Sequence, residues 1–167
     1  LIRMWVVKKS KVHGSGVFAK KPIKKNTKII EYIGEKITKK EGDRRSAQRI
    51  KKYLNSKIDG SVYIFELNAK FDIDGSPKYN KARYINHSCN PNCEVEIESG
   101  KIWIKSIKKI RKDEELSYDY GYEFDKDDYT DHVCKCESKK CIGYIISQEA
   151  WPEYKNFLMK KIKKLSA

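Results

Sequence analysis

Arg83-Tyr84-Ile85-Asn86-His87-Ser88-Cys89-Asn90-Pro91-Asn92-Cys93 is the stretch on which the reading of this chain turns. It sets an aromatic and aliphatic pair, an Asn-His pair and two thiols beside an Asn-Pro-Asn turn. A plain turn needs Asn90, Pro91 and Asn92 but none of the rest. Packing of a strand or helix does not call for this density of polar chemistry, so the stretch reads as a functional loop.

Its thiols lead outward to the other cysteines. Cys134, Cys136 and Cys141 form Cys-x-Cys-x4-Cys, and five cysteines in all, an odd number, fit a metal site in a reducing compartment better than a disulfide framework. Structural zinc takes four ligands in a tetrahedron, and the cluster supplies three. The fourth comes from Cys89, Cys93, His87 or His132. Any choice within the opening stretch folds the tail back over it and encloses a pocket.

The remaining elements can be placed around that junction. Residues 2–7 and 28–33 read as short strands, with Gly14-Ser15-Gly16 between them as a tight bend that permits close approach of a ligand. Thr38-Lys39-Lys40-Glu41 has capping-box spacing, and Ala47, Ile50, Tyr53 and Leu54 predict one amphipathic helix ending at Asn55 to Gly60. Residues 62–67 and 71–73 return to strand character. Val95 to Ile107 predicts a hairpin around Ser99-Gly100 with a charged solvent face. Glu115-Leu116-Ser117-Tyr118-Asp119-Tyr120 reads as an aromatic strand. Trp151, Tyr154, Leu158, Ile162 and Leu165 predict a closing helix, with Pro152 in its first turn and lysines on its other face.

Length and composition bound the partners. At 167 residues the chain fits one domain with a core of its own. No apolar run approaches a membrane span, so the expectation is a soluble intracellular protein without a membrane partner. Lysine and arginine outnumber the acids by 37 to 23, and the net charge of +14 favours nucleic acid or a nucleosome, or else marks a lysine-rich soluble surface. Residues 113–131 run the other way, with nine acids against Lys126 alone. Such a strip could steer a lysine-rich tail.

Gly14-Ser15-Gly16, Glu31-Tyr32-Ile33-Gly34-Glu35, Arg83 to Cys93, Glu115 to Tyr120 and Cys134 to Cys141 together resemble, in order and spacing, the SET-domain protein-lysine methyltransferases with a post-SET zinc module. The resemblance covers about residues 10–146. It implies a mostly β fold with short helices, of the SET β-clip and pseudoknot kind: a SET domain over 10–122 with a variable insert at 38–61, a zinc-bound post-SET segment over 130–146 and a C-terminal amphipathic helix over 148–165. It implies S-adenosylmethionine held by Gly14, Ser15, Gly16, Tyr32, Arg83, Asn86 and His87. It implies Tyr120 as the catalytic tyrosine, with Tyr118 and Tyr63 lining the lysine channel. Zinc would be held by Cys89, Cys134, Cys136 and Cys141, leaving Cys93 free. Ser15 stands where the family commonly has a bulkier residue. The activity implied is lysine N-methylation of a protein, with histone tails as the substrate class and mono- to dimethylation as the extent, since position 118 is Tyr rather than Phe. It carries a nuclear or chromatin location in a eukaryotic or host cell, and a cytoplasmic one otherwise. A methyltransferase for non-histone proteins or for itself, and an inactive zinc-stabilised chromatin or nucleic-acid binding module, are the rival readings.

Overall fold

The computed structural model describes residues 3–56 and 63–165. Four small sheets carry the fold, and each is too short to bury a face alone. Strands β1 (Trp5–Lys9) and β2 (Ser15–Ala19) pair antiparallel, and β3 (Lys28–Tyr32) pairs with β9 (Lys101–Ser106), which pairs in turn with β8 (Cys93–Glu98). A third sheet orders β4 (Glu35–Thr38), β6 (Phe71–Asp74) and β5 (Ile64–Glu66). The fourth, β7 (Asn86–His87) with β10 (Ser117–Tyr118), is parallel and sets Asn86 opposite Ser117 and His87 opposite Tyr118. Val17, Ala19, Ile30, Ile85, Ile102, Ile104, Ile110 and Leu116 close over one another between these sheets as a single core. Burying such side chains stabilises by about 1.5–3 kcal/mol each before entropy is counted.

The predicted hairpin is present. Ser99 and Gly100 both have positive φ, 51° and 73°, as a two-residue turn matched to strand twist requires. Its outer face is charged as expected, with Lys105 paired to Glu94 and Glu96, and Lys28 of β3 to Glu96 and Glu98.

The insert helix α1 (Lys39–Ser56) starts where the capping box predicts, with the Glu41 amide donating to Thr38 Oγ1 at 3.3 Å. Its attachment differs from the amphipathic expectation. Ile50 is 48% exposed, and the side chains of Tyr53 and Leu54, like residues 59 and 60 of the expected stop, lie outside the described set. The helix is instead fastened by charge. Asp74 is buried at the end of β6, and Arg45 Nη1 and Arg49 Nη2 donate to it at 2.8 and 3.0 Å, while Lys39 pairs with Asp72 at 2.7 Å. Burial opposes ionisation of Asp74, but the bonds from Arg45, Ser76 and Arg49 outweigh it and bring the carboxyl down to about 2. A buried carboxylate at a strand end can be kept only where cations reach it, and α1 is the element that brings them.

The C-terminal helix α2 (Trp151–Leu165) carries Pro152 in its first turn, and the Ala150 amide donates to Ser147 Oγ just before it. Tyr154 is buried with Tyr129 and Ile146, and Phe124, Tyr144, Trp151, Phe157 and Leu158 pack around them as a second core, distinct from the first. The expected stripe is thus shortened and rotated: Phe157 joins it, Ile162 is 61% exposed, and the Leu165 side chain lies outside the described set. No helix among the described residues is long and apolar enough to cross a membrane.

Candidate active site and metal centre

The parallel pairing of β7 with β10 is what turns two distant motifs into one site. It places Asn86 and His87 against the strand that leads into Tyr120. The side chain of Asn92, from the Asn-Pro-Asn turn, extends the pairing by donating to the Glu115 carbonyl at 2.8 Å and accepting from the Ser117 amide at 2.9 Å.

Asn86 is buried, and its amide nitrogen donates to Glu115 Oε1 at 2.7 Å and lies 3.2 and 3.4 Å from the Ser15 and His13 carbonyls. All of these partners can only accept, so the nitrogen must face them and the amide oxygen faces away. Glu115 accepts further from Ser10 Oγ at 2.8 and 2.9 Å. A Cβ at Gly16 would stand 2.3 Å from Glu115 Oε1, so only glycine lets the carboxylate rest there. Gly14 has φ +48° with open space around its α-carbon, and Gly14 and Ser15 are exposed. The result is a cradle of acceptors, one of them ionisable, beside a loop pinned by Asn86.

His87 is also buried, and burial lowers its pKa, against a smaller opposing pull from Asp119. Its Nδ1 accepts from the Tyr120 amide at 3.2 Å, which puts the ring proton on Nε2, 3.6 Å from Cys89 Sγ. One ring therefore links the cysteine cluster to the aromatic strand.

On the other side of β10 the aromatic rings form a continuous run. Ring centroids are 4.5 Å apart for Tyr32 and Phe65, 5.8 Å for Phe65 and Tyr118, 5.0 Å for Tyr118 and Tyr120, and 6.0 Å for Tyr120 and Tyr122. Tyr120 Oη donates to the Ile85 carbonyl at 3.0 Å, one residue before Asn86. Burial, followed by the neighbouring Tyr122 and Tyr63, holds the Tyr120 hydroxyl well above the ordinary phenol range. Burial raises Tyr118 in the same direction. Both hydroxyls are therefore protonated at neutral pH. Tyr32 and Arg83, which the resemblance assigns to the cofactor, both contact Tyr63. Tyr32 Oη donates to the Tyr63 carbonyl at 2.9 Å, and the Arg83 guanidinium stacks 4.0 Å over the Tyr63 ring and bonds the Ser76 carbonyl, leaving its Nε buried and without a partner among the described residues.

Cys89 Sγ lies 3.8 Å from Cys134 Sγ and 3.9 Å from Cys141 Sγ, and with Cys136 all four sulfurs fall within 4.8 Å of one another. Disulfide sulfurs sit at about 2.05 Å. The edge of a sulfur tetrahedron around zinc, with bonds of about 2.3 Å, is about 3.8 Å. The donor set and its spacing fit zinc. Burial pushes the Cys89 thiol up to about 12; at Cys136 burial acts the same way, but the Cys89 and Ser138 amides and the neighbouring thiols outweigh it and lower that thiol to about 7. Cys93 is buried in the first core, its thiol 3.4 Å from Asn92 Oδ1, and burial pushes it up to about 12, so it stays a neutral packing group. His132 stacks edge-on against Tyr122.

A model of the SET domain matches residues 14–121, more than half of the chain. The chain belongs to the SET-domain family. The histone-lysine N-methyltransferase, H3 lysine-4 specific, of Aspergillus oryzae is 39% identical over 141 residues, which is 82% of this chain and 11% of that protein. The enzyme of the same name from Saccharomyces cerevisiae is 36% identical over 141 residues, 82% of this chain and 13% of its own length. Human histone-lysine N-methyltransferase 2D is 38% identical over 137 residues, 80% of this chain and 2% of the human protein. This SET chain therefore spans a small part of the length of the relatives it matches.

Sequence reasoning missed four residues of the SET site. Glu115 was visible only as part of a strand motif, although it braces Asn86 and requires Gly16. Asn92 was visible only as a turn residue. Phe65 bridges Tyr32 to Tyr118, and period-two alternation marks such a position as inward without giving its neighbours. Asp74 anchors α1 and looked like part of a turn. The acidic strip is also shorter than its sequence. Asp113, Glu114, Glu115 and Asp119 are engaged with Lys8, Arg111 and Asn92, Asn86 and Ser10, and Gln148, while the acids at 123, 125, 127, 128 and 131 are exposed.

Proposed function

We propose that this chain is the catalytic unit of an S-adenosylmethionine-dependent protein-lysine N-methyltransferase acting on histone tails, with the lysine-4 segment of histone H3 as the first candidate. The observation that carries the reading is the meeting, at the Tyr120 to Ile85 bond, of an aromatic run with an acceptor-lined cradle. Gly14, Ser15, Gly16, Asn86 and His87 would hold S-adenosylmethionine at the cradle, which matches its sulfonium and amine groups in charge. When bound there it supplies a methyl group activated by positive sulfur.

The chain's own residues account for the acceptor side. A lysine amine has a reference pKa of about 10.4 and cannot attack while protonated. A lysine side chain entering beside the rings of Tyr32, Phe65, Tyr118 and Tyr120 would lose water from its ammonium, and a cation ahead of it would repel it, so both effects would favour the neutral amine. Neither tyrosine serves as the base, since burial keeps both hydroxyls protonated. Aromatic faces also attract a methylated ammonium by about 0.5–2 kcal/mol each. Tyr120, fixed by Ile85 and by its amide on His87, sets the line along which the amine meets the methyl, and that alignment is the larger contribution. In this proposal Tyr32 and Arg83 act on the Tyr63 side of the channel, and zinc on Cys89, Cys134, Cys136 and Cys141 fixes the lid.

The test is transfer of labelled methyl from S-adenosylmethionine to recombinant histone H3, to other basic proteins and to no added substrate, the last arm reporting self-methylation. Tyr120→Phe should lower the rate by about 10- to 100-fold. Label transfer unchanged by that substitution would overturn the assigned mechanism.

Tyr118 governs how many methyls fit. Tyr118 is buried as a residue and its hydroxyl makes no hydrogen bond among the described residues, so it is the group to hold a water or the amine. Wild-type product should be mono- and dimethyl-lysine. Tyr118→Phe removes that hydroxyl and should move the product toward trimethyl-lysine by mass spectrometry. An unchanged product distribution counts against this role.

A further inference from the structure

The methyl-transfer site leaves one large feature unused. The sequence carries no acid before Glu31, and residues 20–25 lie antiparallel to residues 108–112. Ile23 and Ile110 exchange both backbone bonds at 2.9 Å, and the Ala19 and Asp113 amides continue the ribbon at 3.0 and 2.8 Å. The isoleucines are buried, and Lys20, Lys21, Lys24 and Lys25 on one segment and Lys108, Lys109 and Lys112 on the other are exposed. Among the described residues none of these seven lysines forms a salt bridge. The nearest acids are spoken for, Asp113 by Lys8 and Glu114 by Arg111 and Asn92. The backbone beneath is fixed: Thr27 Oγ1 and Ser106 Oγ both donate to the Lys24 carbonyl, at 2.7 and 2.6 Å, and the Asn26 amide donates to the Ser106 carbonyl.

Concentrated like charge on a rigid ribbon costs self-repulsion unless an anion meets it. We infer that this ribbon is a docking surface for the phosphate backbone of double-stranded DNA. The choice of partner follows from what the surface lacks. Single-stranded nucleic acid is held by bases stacked on aromatic side chains, and a membrane surface by apolar side chains inserted between lipids. Among the described residues the exposed large hydrophobics are Ile33, Ile50, Tyr79, Ile97, Val133, Met159 and Ile162, and none lies on this ribbon. Charge without a stacking or inserting group reads the duplex backbone alone, without sequence preference. A duplex presents one charge about every 1.7 Å of axis, so several phosphates fall within reach of seven lysines on two bridged segments. The lysines of α2 are a poorer candidate, since Lys160 shares a cleft with Asp125 and Glu153. This inference stands apart from the methyl-transfer reading.

The test compares two variants of the full chain with equal loss of charge: Lys24, Lys25, Lys108 and Lys109→Ala, and Lys160, Lys161, Lys163 and Lys164→Ala. Binding of a fluorescent duplex of about 20 base pairs is followed by anisotropy between about 50 and 200 mM salt. The ribbon variant should bind at least about tenfold more weakly and lose about three to four from the log-log salt slope, while the α2 variant stays within about twofold of wild type. Thermal melting of both variants should match wild type, because the substituted ribbon side chains make no contact that the fold needs. Equal weakening of both variants would mean that only net charge matters and would overturn the inference. So would binding of a single strand, or of anionic lipid vesicles, as tight as that of the duplex.

Discussion

Removal of zinc by a chelator is expected to lower methyl transfer at least about 100-fold while leaving the first core folded. Structural zinc contributes about 10–16 kcal/mol where its ligands are otherwise unorganised. Here that energy is spent on one segment. The clustered cysteines other than Cys89 all lie beyond Gly121, and the core built on Val17, Ile85, Ile104 and Leu116 contains none of the four. Cys89 is the point at which the loss reaches the chemistry. Its sulfur meets His87 Nε2, His87 Nδ1 holds the Tyr120 amide, and its carbonyl accepts from Gln148 Nε2 at 3.1 Å. Gln148 in turn donates its amide to Asp119 at 2.8 Å. Loss of a bound metal would free the sulfur, then the imidazole, then the strand that carries Tyr120. Outer-shell partners of this kind commonly alter activity or metal affinity by about 10- to 100-fold. The chelated protein should keep its far-ultraviolet strand signal and become sensitive to protease after residue 121. Metal analysis divides the cysteines: Cys89→Ser should bind no zinc, and Cys93→Ala should bind one ion and lose only about 1 kcal/mol of stability. Full activity after chelation, or zinc retained by Cys89→Ser and lost by Cys93→Ala, would sink this account.

How much of this was legible in the sequence depends on how each residue declares itself. The cysteines declared their chemistry, because three thiols in one short loop have few other uses, and the choice among Cys89, Cys93, His87 and His132 was narrowed by the resemblance. The sulfur spacings place Cys89 in the cluster and Cys93 in the core. Asn86 and His87 were legible as a pair, but their work rests on Glu115 and on the parallel register of β7 with β10. No local pattern predicts a two-residue parallel pairing. The attachment of α1 was misjudged for a physical reason. Ala47 and Ile50 suggested an apolar face, yet a buried carboxylate at Asp74 recruits Arg45 and Arg49 more strongly than a modest apolar stripe recruits a sheet. Periodicity sees side chains on their own helix and is blind to a charge supplied by another strand. The second core around Tyr129 and Tyr154 was foreseen only as a helix with an apolar face. Its position over the zinc loop follows from tertiary contacts that helical spacing cannot encode.

Asn86→Asp should make the stability of the protein fall as pH rises, an outcome that follows from one hydrogen-bond direction. The wild-type amide nitrogen stands 2.7 Å from Glu115 Oε1, and the carboxylate has close neighbours on its other sides. Ser10 Oγ holds both of its oxygens, and the Gly16 backbone lies close enough that even a Cβ there would overlap it. The substitution keeps the shape and replaces a donor with an acceptor, so two carboxyl groups face each other at hydrogen-bond distance. They cannot both ionise without strong repulsion, and one proton is retained between them. The introduced group therefore has a folded-state pKa raised above its unfolded value of about 3.9. A raised pKa contributes stability that is present at low pH and lost as pH rises through the folded value. The melting temperature should lie nearest that of wild type at about pH 4 and below, and the deficit should widen as pH rises from there, levelling off near neutral pH at about 3 kcal/mol, the scale of an unpaired buried charge. Asn86→Ala supplies the contrast. It removes the donor without adding charge, and its deficit should be smaller and nearly constant over the same range. Binding of S-adenosylmethionine, measured by calorimetry at each pH, should weaken in both variants, because the loop from His13 to Gly16 loses its tether. A pH-independent deficit for Asn86→Asp would mean that the amide oxygen, not the nitrogen, faces Glu115. The acceptor-lined cradle on which the cofactor assignment depends would then have to be redrawn.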